Sequence, residues 1–339
     1  MTDPQNRQFR LVRRPNGLPE AEDFELSLAA VPEPAPGEFV VRNHFASLDP
    51  AQRGWMSDAP SYMPPIPLGH AVRATTVGIV HSSSCEEFPC GEWVMGLNAL
   101  EDYSLCRAGG FTNRIDAEAG GSPTAYLSAL GAVGLTAYFG LIEAGQPTAG
   151  ETVLVTGAAG GVGSLVGQIA KISGCRVIGI AGGADKCERL LRDYGFDVAI
   201  DYRGRNLEEL AAEIAVAAPN GVDVHFENVG GVVLDAALAN LALRARVVLC
   251  GLISEYNAAE PLGARNLWQV LVKRATVKGF LVADYVERFA EGAAAMGEWI
   301  AQGRLRVDED VQVGLENAYA AFMRLFSGAN TGKLVLKIA

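Results

Sequence analysis

The chain has 339 residues, 49% hydrophobic and 20% charged, with a formal net charge of −11. That length and balance fit a globular protein of two domains, each with a full core. The negative charge argues against nucleic-acid or anionic-membrane partners, which need clustered Lys and Arg, and no apolar run approaches the ~20 residues of a membrane span.

The opening MTDPQNRQFR is polar and has no apolar core of a secretory signal, so a cytoplasmic location is expected. Residues 1–125 read as an irregular, β-rich domain. Strand candidates at 39–43, 72–80 and 92–95 alternate with Pro- and Gly-rich connections at 32–37 and 64–69. Asp49-Pro50 reads as a helix start, with Asp49 as N-cap and Pro50 at the first helical position. Trp55, Met56, Tyr62 and Met63 follow as an aromatic and thioether cluster, either core or the wall of an apolar pocket. Cys85 and Cys90 form C-x4-C without a second close pair or a His-x3–5-His, so no structural zinc is expected. Cys175 and Cys250 stand in apolar strand-like contexts and read as buried thiols.

From 125 to 144 the chain reads as helix interrupted near 131–134. Strands and helices then alternate: strands at 153–156, 176–181, 198–200, 222–227, 246–251 and 276–281, helices at 164–173, 186–194, 207–217, 234–241 and 285–302. Six strands with crossover helices predict an α/β fold with a doubly wound parallel sheet. The last run, 333–338, alternates as a strand that returns to the first domain.

The stretch 153–171, VLVTGAAGGVGSLVGQIAK, is strand, glycine turn and helix, the order of a dinucleotide-binding crossover. A Walker A loop needs Gly-Lys-Ser/Thr after the last glycine, but Gly163 is followed by Ser164 and Leu165. The run also matches the TGxxxGxG of short-chain dehydrogenases. About 150 residues precede it, however, and no Tyr is followed four positions later by the Lys those enzymes need. A turn that merely packs helix on strand is the bland alternative. The predicted second strand ends Ile180-Ala181-Gly182-Gly183, without the acid that binds the ribose in NAD enzymes, while Lys186 lies nearby. A missing carboxylate beside a cation suits the 2′-phosphate of NADP.

With these residues in place, the chain resembles the medium-chain dehydrogenase/reductase superfamily, in its zinc-free prostaglandin reductase, alkenal/one oxidoreductase and plant double-bond reductase branch. The matching pieces are Asp49-Pro50-x-x-Arg53, the run from Gly134 to Gly140, and the glycine turn with Val166-Gly167-Gln168-Ile169-Ala170-Lys171. They continue through Glu227-Asn228-Val229-Gly230-Gly231, the run from Cys250 to Asn257, and Asn330-Thr331-Gly332-Lys333. The resemblance implies a GroES-like domain over 1–125 and 304–339, a Rossmann domain over 126–303, an active site in the cleft and a homodimer. Gly160, Gly161, Val162 and Gly163 would hold the pyrophosphate, and Lys186 and Tyr202 the adenosine phosphate side. Asn228, Cys250, Gly251, Leu252, Ile253, Ser254, Phe280, Leu281, Val282 and Asn330 would contact the nicotinamide half. Tyr256 would donate to the substrate carbonyl, with Arg53, Trp55 and Tyr62 as candidates for the substrate pocket.

That role for Tyr256 is chemically sound in its own right. Hydride addition to an activated C=C pushes charge onto the carbonyl oxygen, and a phenol O–H stabilises it without losing its proton. A pocket-wall aromatic is the rival reading. Two departures stand out. Ala51 sits where many relatives have Tyr, and Gly69-His70-Ala71 lacks the Glu of the zinc enzymes' Gly-His-Glu. With His44, His70, His81 and His225 isolated, no zinc site assembles. The expected function is NADPH-dependent reduction of α,β-unsaturated ketones or aldehydes. The alternatives are a quinone oxidoreductase on the same fold and a non-catalytic NADPH-binding protein.

Overall fold

Two units make up residues 5–260 and 262–339, the part of the chain that the computed structural model describes. The first takes the described part of Met1–Leu127 with Asp310–Asn330 and Leu334–Ala339; the second takes Ser128–Glu309 with Thr331–Lys333. Among the described residues no helix is long and apolar enough to cross a membrane.

The first unit is built on β-structure. Its main sheet runs in the order Glu309–Val313, Lys333–Lys337, Glu38–Ser47, Arg73–Ser83, Trp93–Ala99, Thr112–Arg114, with Tyr103–Arg107 also paired to Glu38–Ser47. The alternating C-terminal run pairs antiparallel here, Val335 opposite Ser47. Phe39, Val41, Val80, Phe88 and Val94 fill one small core, and Leu11, Leu48, Met56, Ile66 and Leu336 belong to a larger one. A hairpin of Gln5–Leu11 and Phe24–Ala30 escapes sequence reading because its second strand turns apolar residues outward, with Leu26 and Leu28 exposed. The expected Asp49 cap is corrected. The helix is Ala51–Trp55, Pro50 is the cap residue and already αR (φ −56°, ψ −29°), and the Asp49 carboxylate accepts from the Ser47 hydroxyl.

In the second unit six parallel strands follow the order Val198–Asp201, Arg176–Ala181, Thr152–Thr156, Val222–Glu227, Leu241–Leu249, Thr276–Gly279. This is the doubly wound α/β arrangement, with Val153, Leu154, Val155, Val177, Ile178, Val224 and Phe226 fully buried. Strands buried on both faces read as continuous apolar runs, which is why these were legible. Several boundaries move. The fifth strand begins at Leu241, and the sixth stops at Gly279. The last helix begins at Phe289 after a 3₁₀ turn, Val282–Arg288, in which Tyr285 leaves helical geometry (φ −112°, ψ 16°). A further helix, Leu267–Lys273, buries none of its residues, and its apolar side chains, Trp268 and Leu271 among them, are exposed.

Helix Gly161–Ile172 lies close on the sheet because Gly167 and Gly179 make room for the Phe196 ring. A Cβ at Gly167 would stand 1.9 Å from Phe196 Cζ, and one at Gly179 2.7 Å from Phe196 Cδ1. Gly167→Ala is therefore expected to destabilise the protein by about 1–3 kcal/mol in urea unfolding, through overpacking rather than lost contacts. An unchanged midpoint would show that the ring can move aside.

Candidate cofactor and substrate site

Strand Thr152–Thr156 has Arg176–Ala181 on one side and Val222–Glu227 on the other, so its C-terminal end opens at the point where strand order reverses. The chain leaves it through Gly157, in the left-handed region at φ +58°. Gly160 then caps helix Gly161–Ile172 in extended conformation with no side-chain hydrogen bond. A Cβ at Gly163 would lie 2.3 Å from the Gly157 carbonyl oxygen, so the helix starts this close to the turn only without one. The helix's first N–H groups lack intrahelical partners by geometry, and the dipole favours an anion there. The turn carrying Gly160, Gly161, Val162 and Gly163 thus fits a pyrophosphate.

On the next strand, Arg176–Ala181 gives way to Gly182 and Gly183, and Lys186 is the third residue of helix Ala184–Tyr194. Tyr202 leans over the turn, its hydroxyl 3.1 Å from where a Gly182 Cβ would be. Sequence reasoning overlooked two neighbours. The Asp201 carboxylate accepts from Gly183 N (2.8 Å) and Arg203 N (3.0 Å). Those backbone bonds, with the nearby Arg203 and Arg205 charges, hold its pKa below the usual carboxylate value. Arg203 itself lies against Gly182 and Gly183; a basic residue directly after Tyr202 was the available signal.

The opposite side is organised by Glu227, which is fully buried. One carboxylate oxygen accepts from Val229 N, Gly230 N (2.7 Å) and Thr156 Oγ1 (3.1 Å); the other is 2.6 Å from His225 Nε2. His225 Nδ1 meets the Leu154 carbonyl at 3.3 Å. Asn228 closes the same corner, giving Nδ2–H to Thr156 O (2.7 Å) and its backbone N–H to Thr156 Oγ1 (2.8 Å). The loop after the fifth strand is stitched onto this turn. Cys250 N and Gly251 N bond to Glu227 O, Ile253 N to Asn228 O, and Ser254 N and Oγ to Val229 O. Burial, and then the Glu227 charge, push the Cys250 thiol up to about 12, so it stays protonated.

Tyr256 ends that loop, its oxygen accepting from Leu252 N at 3.2 Å. A pocket of about 480 Å³ is lined by Leu249–Leu252, Tyr256, Gly279–Leu281 and Asp284. Phe280 is locked in by Gly140, whose Cβ would stand 2.4 Å from its ring, and by Phe226 at 6.3 Å between ring centres. Val282 opens the 3₁₀ turn that follows.

The remaining candidates, Arg53, Trp55, Tyr62 and Asn330, belong to the first unit. Arg53 is buried, and its guanidinium donates to the carbonyls of Pro15 and Gly17, which lowers its donor capacity toward any ligand. Trp55 Nε1 donates to the Tyr62 hydroxyl at 3.3 Å, and the Arg73 guanidinium lies over the Trp55 ring. Asn330 immediately precedes Thr331–Lys333, where Gly332 bridges to Gly160 in the second unit.

A doubly wound sheet with this turn at its switch point, together with a β-rich unit, defines a two-domain dinucleotide-dependent oxidoreductase. Comparison with known proteins agrees. Residues 7–113 match a family described as the N-terminal domain of oxidoreductases, and residues 161–298 one described as zinc-binding dehydrogenase. The chain is 41% identical over 340 residues to an NADPH-dependent curcumin reductase of Escherichia coli, spanning 98% of this chain and 97% of that one. It is 36% identical over 339 residues to a 2-alkenal reductase (NADP⁺-dependent) of Nicotiana tabacum, spanning 98% of both. The structure of CurA from Vibrio vulnificus in complex with NADPH superposes with a TM-score of 0.92 at 42% identity, over 98% of this chain and 99% of that one. The chain belongs to the medium-chain dehydrogenase/reductase superfamily, as an oxidoreductase. The second family's description implies zinc, which the residues here do not fit. Among those described, no group of three or more His, Cys, Asp or Glu could hold a metal ion, and His225 is engaged by Glu227 and Leu154.

Glu227→Gln replaces with a neutral amide the carboxylate on which Val229 N, Gly230 N and Thr156 Oγ1 converge. It is expected to destabilise the protein by about 1–3 kcal/mol in urea unfolding, the usual loss when hydrogen bonds to a buried charged group become bonds to a neutral one. A loss below about 1 kcal/mol would show that the corner reorganises around the amide.

Proposed function

We propose that this NADP-dependent oxidoreductase reduces the C=C bond of α,β-unsaturated ketones and aldehydes, with Tyr256 as the group that stabilises charge on the substrate carbonyl. The observation that carries the reading is the placement of Tyr256. It ends a loop tied by five backbone and side-chain bonds to the Glu227–Val229 corner, and it lines the pocket formed with Phe280 and Leu281. The names of the relatives support it, since a 2-alkenal is an α,β-unsaturated aldehyde.

In this reading Gly160, Gly161, Val162 and Gly163 hold the pyrophosphate, and Lys186 and Tyr202 the adenosine side. Asn228, the loop from Cys250 to Ser254, the segment from Phe280 to Val282, and Asn330 form the nicotinamide half. NADPH, when bound, supplies the hydride. The chain's own residues supply position and field. The carboxylate of Glu227 holds the turn and loop rigid, so Tyr256 approaches from a fixed base. Leu252 N–H, donating to the phenol oxygen, polarises the O–H and makes it a better donor as the carbonyl oxygen gains charge. The phenol keeps its proton, and the α-carbon takes one from water. Trp55 and Tyr62 are the candidates for apolar walls, while Arg53 holds the loop through Pro15 and Gly17.

The decisive assay follows anaerobic NADPH oxidation with a panel of enones and identifies the product. The saturated ketone is expected, and Tyr256→Phe should lower kcat by about 10²–10³-fold with the NADPH Kd unchanged. Inert enones with active quinones would replace this reading by quinone reduction. NADPH binding with no turnover on either would make the protein a non-catalytic binder.

We also infer that the protein works as a homodimer. Thr276–Gly279 is the edge strand of the parallel sheet, exposed along its whole length, and beside it in sequence lies the helix Leu267–Lys273. Trp268 is 68% exposed and Leu271 64%, with Leu267 and Val277 also in solvent. A monomer seldom leaves an apolar edge open, and pairing with a second copy of the same edge closes it about a twofold axis. Light scattering at micromolar concentration should give twice the monomer mass, and Trp268→Glu should shift it toward one. A monomeric wild type would overturn the inference.

A further inference from the structure

We infer that Arg203 is a ligand to the 2′-phosphate of the cofactor and a determinant of the preference for NADP over NAD. The inference rests on the reading of Lys186 and Tyr202 given above and adds a residue to it. Three observations carry it.

The first is proximity. Cβ atoms built on Gly182 and Gly183 would stand 3.1 Å from Arg203 Nε and 3.3 Å from Arg203 Nη1. The guanidinium therefore lies on the turn at the end of strand Arg176–Ala181, where the adenosine ribose is held in this fold. The Tyr202 hydroxyl is at the same Gly182 position, at 3.1 Å.

The second is anchoring. One Asp201 oxygen, Oδ1, accepts from both Gly183 N and Arg203 N, so the backbone that carries Arg203 is tied to the backbone of the turn. With that oxygen engaged by two amides, Asp201 acts as a clamp and forms no ion pair with the guanidinium. The anchored backbone leaves the exposed side chain less freedom to lose on binding.

The third is a guanidinium without a direct ion pair. Neighbouring Arg205 pairs with Glu213 and with the Asp201 carbonyl. Among the described residues, Arg203 enters no salt bridge and its guanidinium makes no hydrogen bond. A cation held beside a turn whose own residues carry no carboxylate, with the Asp201 oxygen that reaches the turn already taken by two amides, is complementary to a dianionic phosphate, and a guanidinium can give it two parallel bonds. A side chain at Gly182 would crowd both Tyr202 and Arg203, so the glycine and the arginine act as a pair: one removes the acid that NAD requires, the other supplies the charge that NADP requires.

The test uses adenosine 2′,5′-bisphosphate and 5′-AMP, which differ only in the 2′-phosphate, titrated calorimetrically into the whole protein. The wild type should bind the bisphosphate at least about tenfold more tightly than 5′-AMP. Arg203→Gln should weaken the bisphosphate about tenfold while 5′-AMP changes less than about twofold, and Arg203→Lys should recover part of the loss. Unchanged 5′-AMP binding also reports that the variant is folded. If the wild type discriminates and Arg203→Gln discriminates equally well, this inference fails and the reading of Lys186 and Tyr202 stands. Equal weakening of both ligands would make Arg203 a structural residue and overturn the inference. A wild type that does not discriminate would remove the 2′-phosphate site altogether.

Discussion

A single buried carboxylate carries much of the second unit's organisation. Glu227 ends the fourth strand of the sheet at zero exposure, and its two oxygens meet Val229 N, Gly230 N, Thr156 Oγ1 and His225 Nε2. A carboxylate removed from water survives only when its lone pairs are filled, so this one forces its neighbours into place. The consequence is geometric. Strand ends that belong to Thr152–Thr156 and Val222–Glu227 are bound to each other, and the 228–230 turn cannot swing away. The loop from Cys250 to Ser254 then builds on the backbone of that turn.

The two sides of the switch point use opposite means to reach rigidity. At the glycine turn, missing side chains do the work: Gly157 takes a positive φ and Gly163 lets the helix begin against the Gly157 carbonyl. At the end of the next strand, Asp201 ties two backbone segments together and Gly182 leaves space. On the Glu227 side, polar groups are paired beneath the loop. A site intended for hydride transfer needs its donors preorganised, because reorganisation during the reaction forfeits the electrostatic benefit. The same stiffness makes Tyr256 a better catalytic candidate than Trp55 or Tyr62, whose shared hydrogen bond involves an exposed hydroxyl.

Much of the second unit was legible in the chain. The strands Arg176–Ala181 and Val222–Glu227 and the helix Leu207–Ala217 stand where apolar pattern and turn residues put them. The Asn206–Glu209 capping box marks the start of that helix. Where pattern failed, the physical cause is visible. Helix Leu267–Lys273 and the hairpin strand Phe24–Ala30 expose apolar residues that periodicity assumes to be buried. Asp49 satisfies the compositional rule for a cap, but the nearby Ser47 hydroxyl takes its carboxylate. Arg203 gave no signal beyond its charge, since a surface arginine in a loop is ordinarily a solvated one.

Sequence by itself determined the architecture and the kind of cofactor, because those depend on local facts: which runs are apolar, where glycine permits a turn, and which position lacks an acid. Each is a property of a few adjacent residues and survives without knowledge of the fold. What the tertiary structure alone decided is which distant residues share a bond. Thr156 meets Glu227, and Leu154 meets His225, because adjacent parallel strands end side by side. Asp201 grips Gly183 because the next strand over ends at the same height. Those pairings arise only after the sheet has formed, since register between strands, and not spacing along the chain, brings such groups within hydrogen-bonding distance.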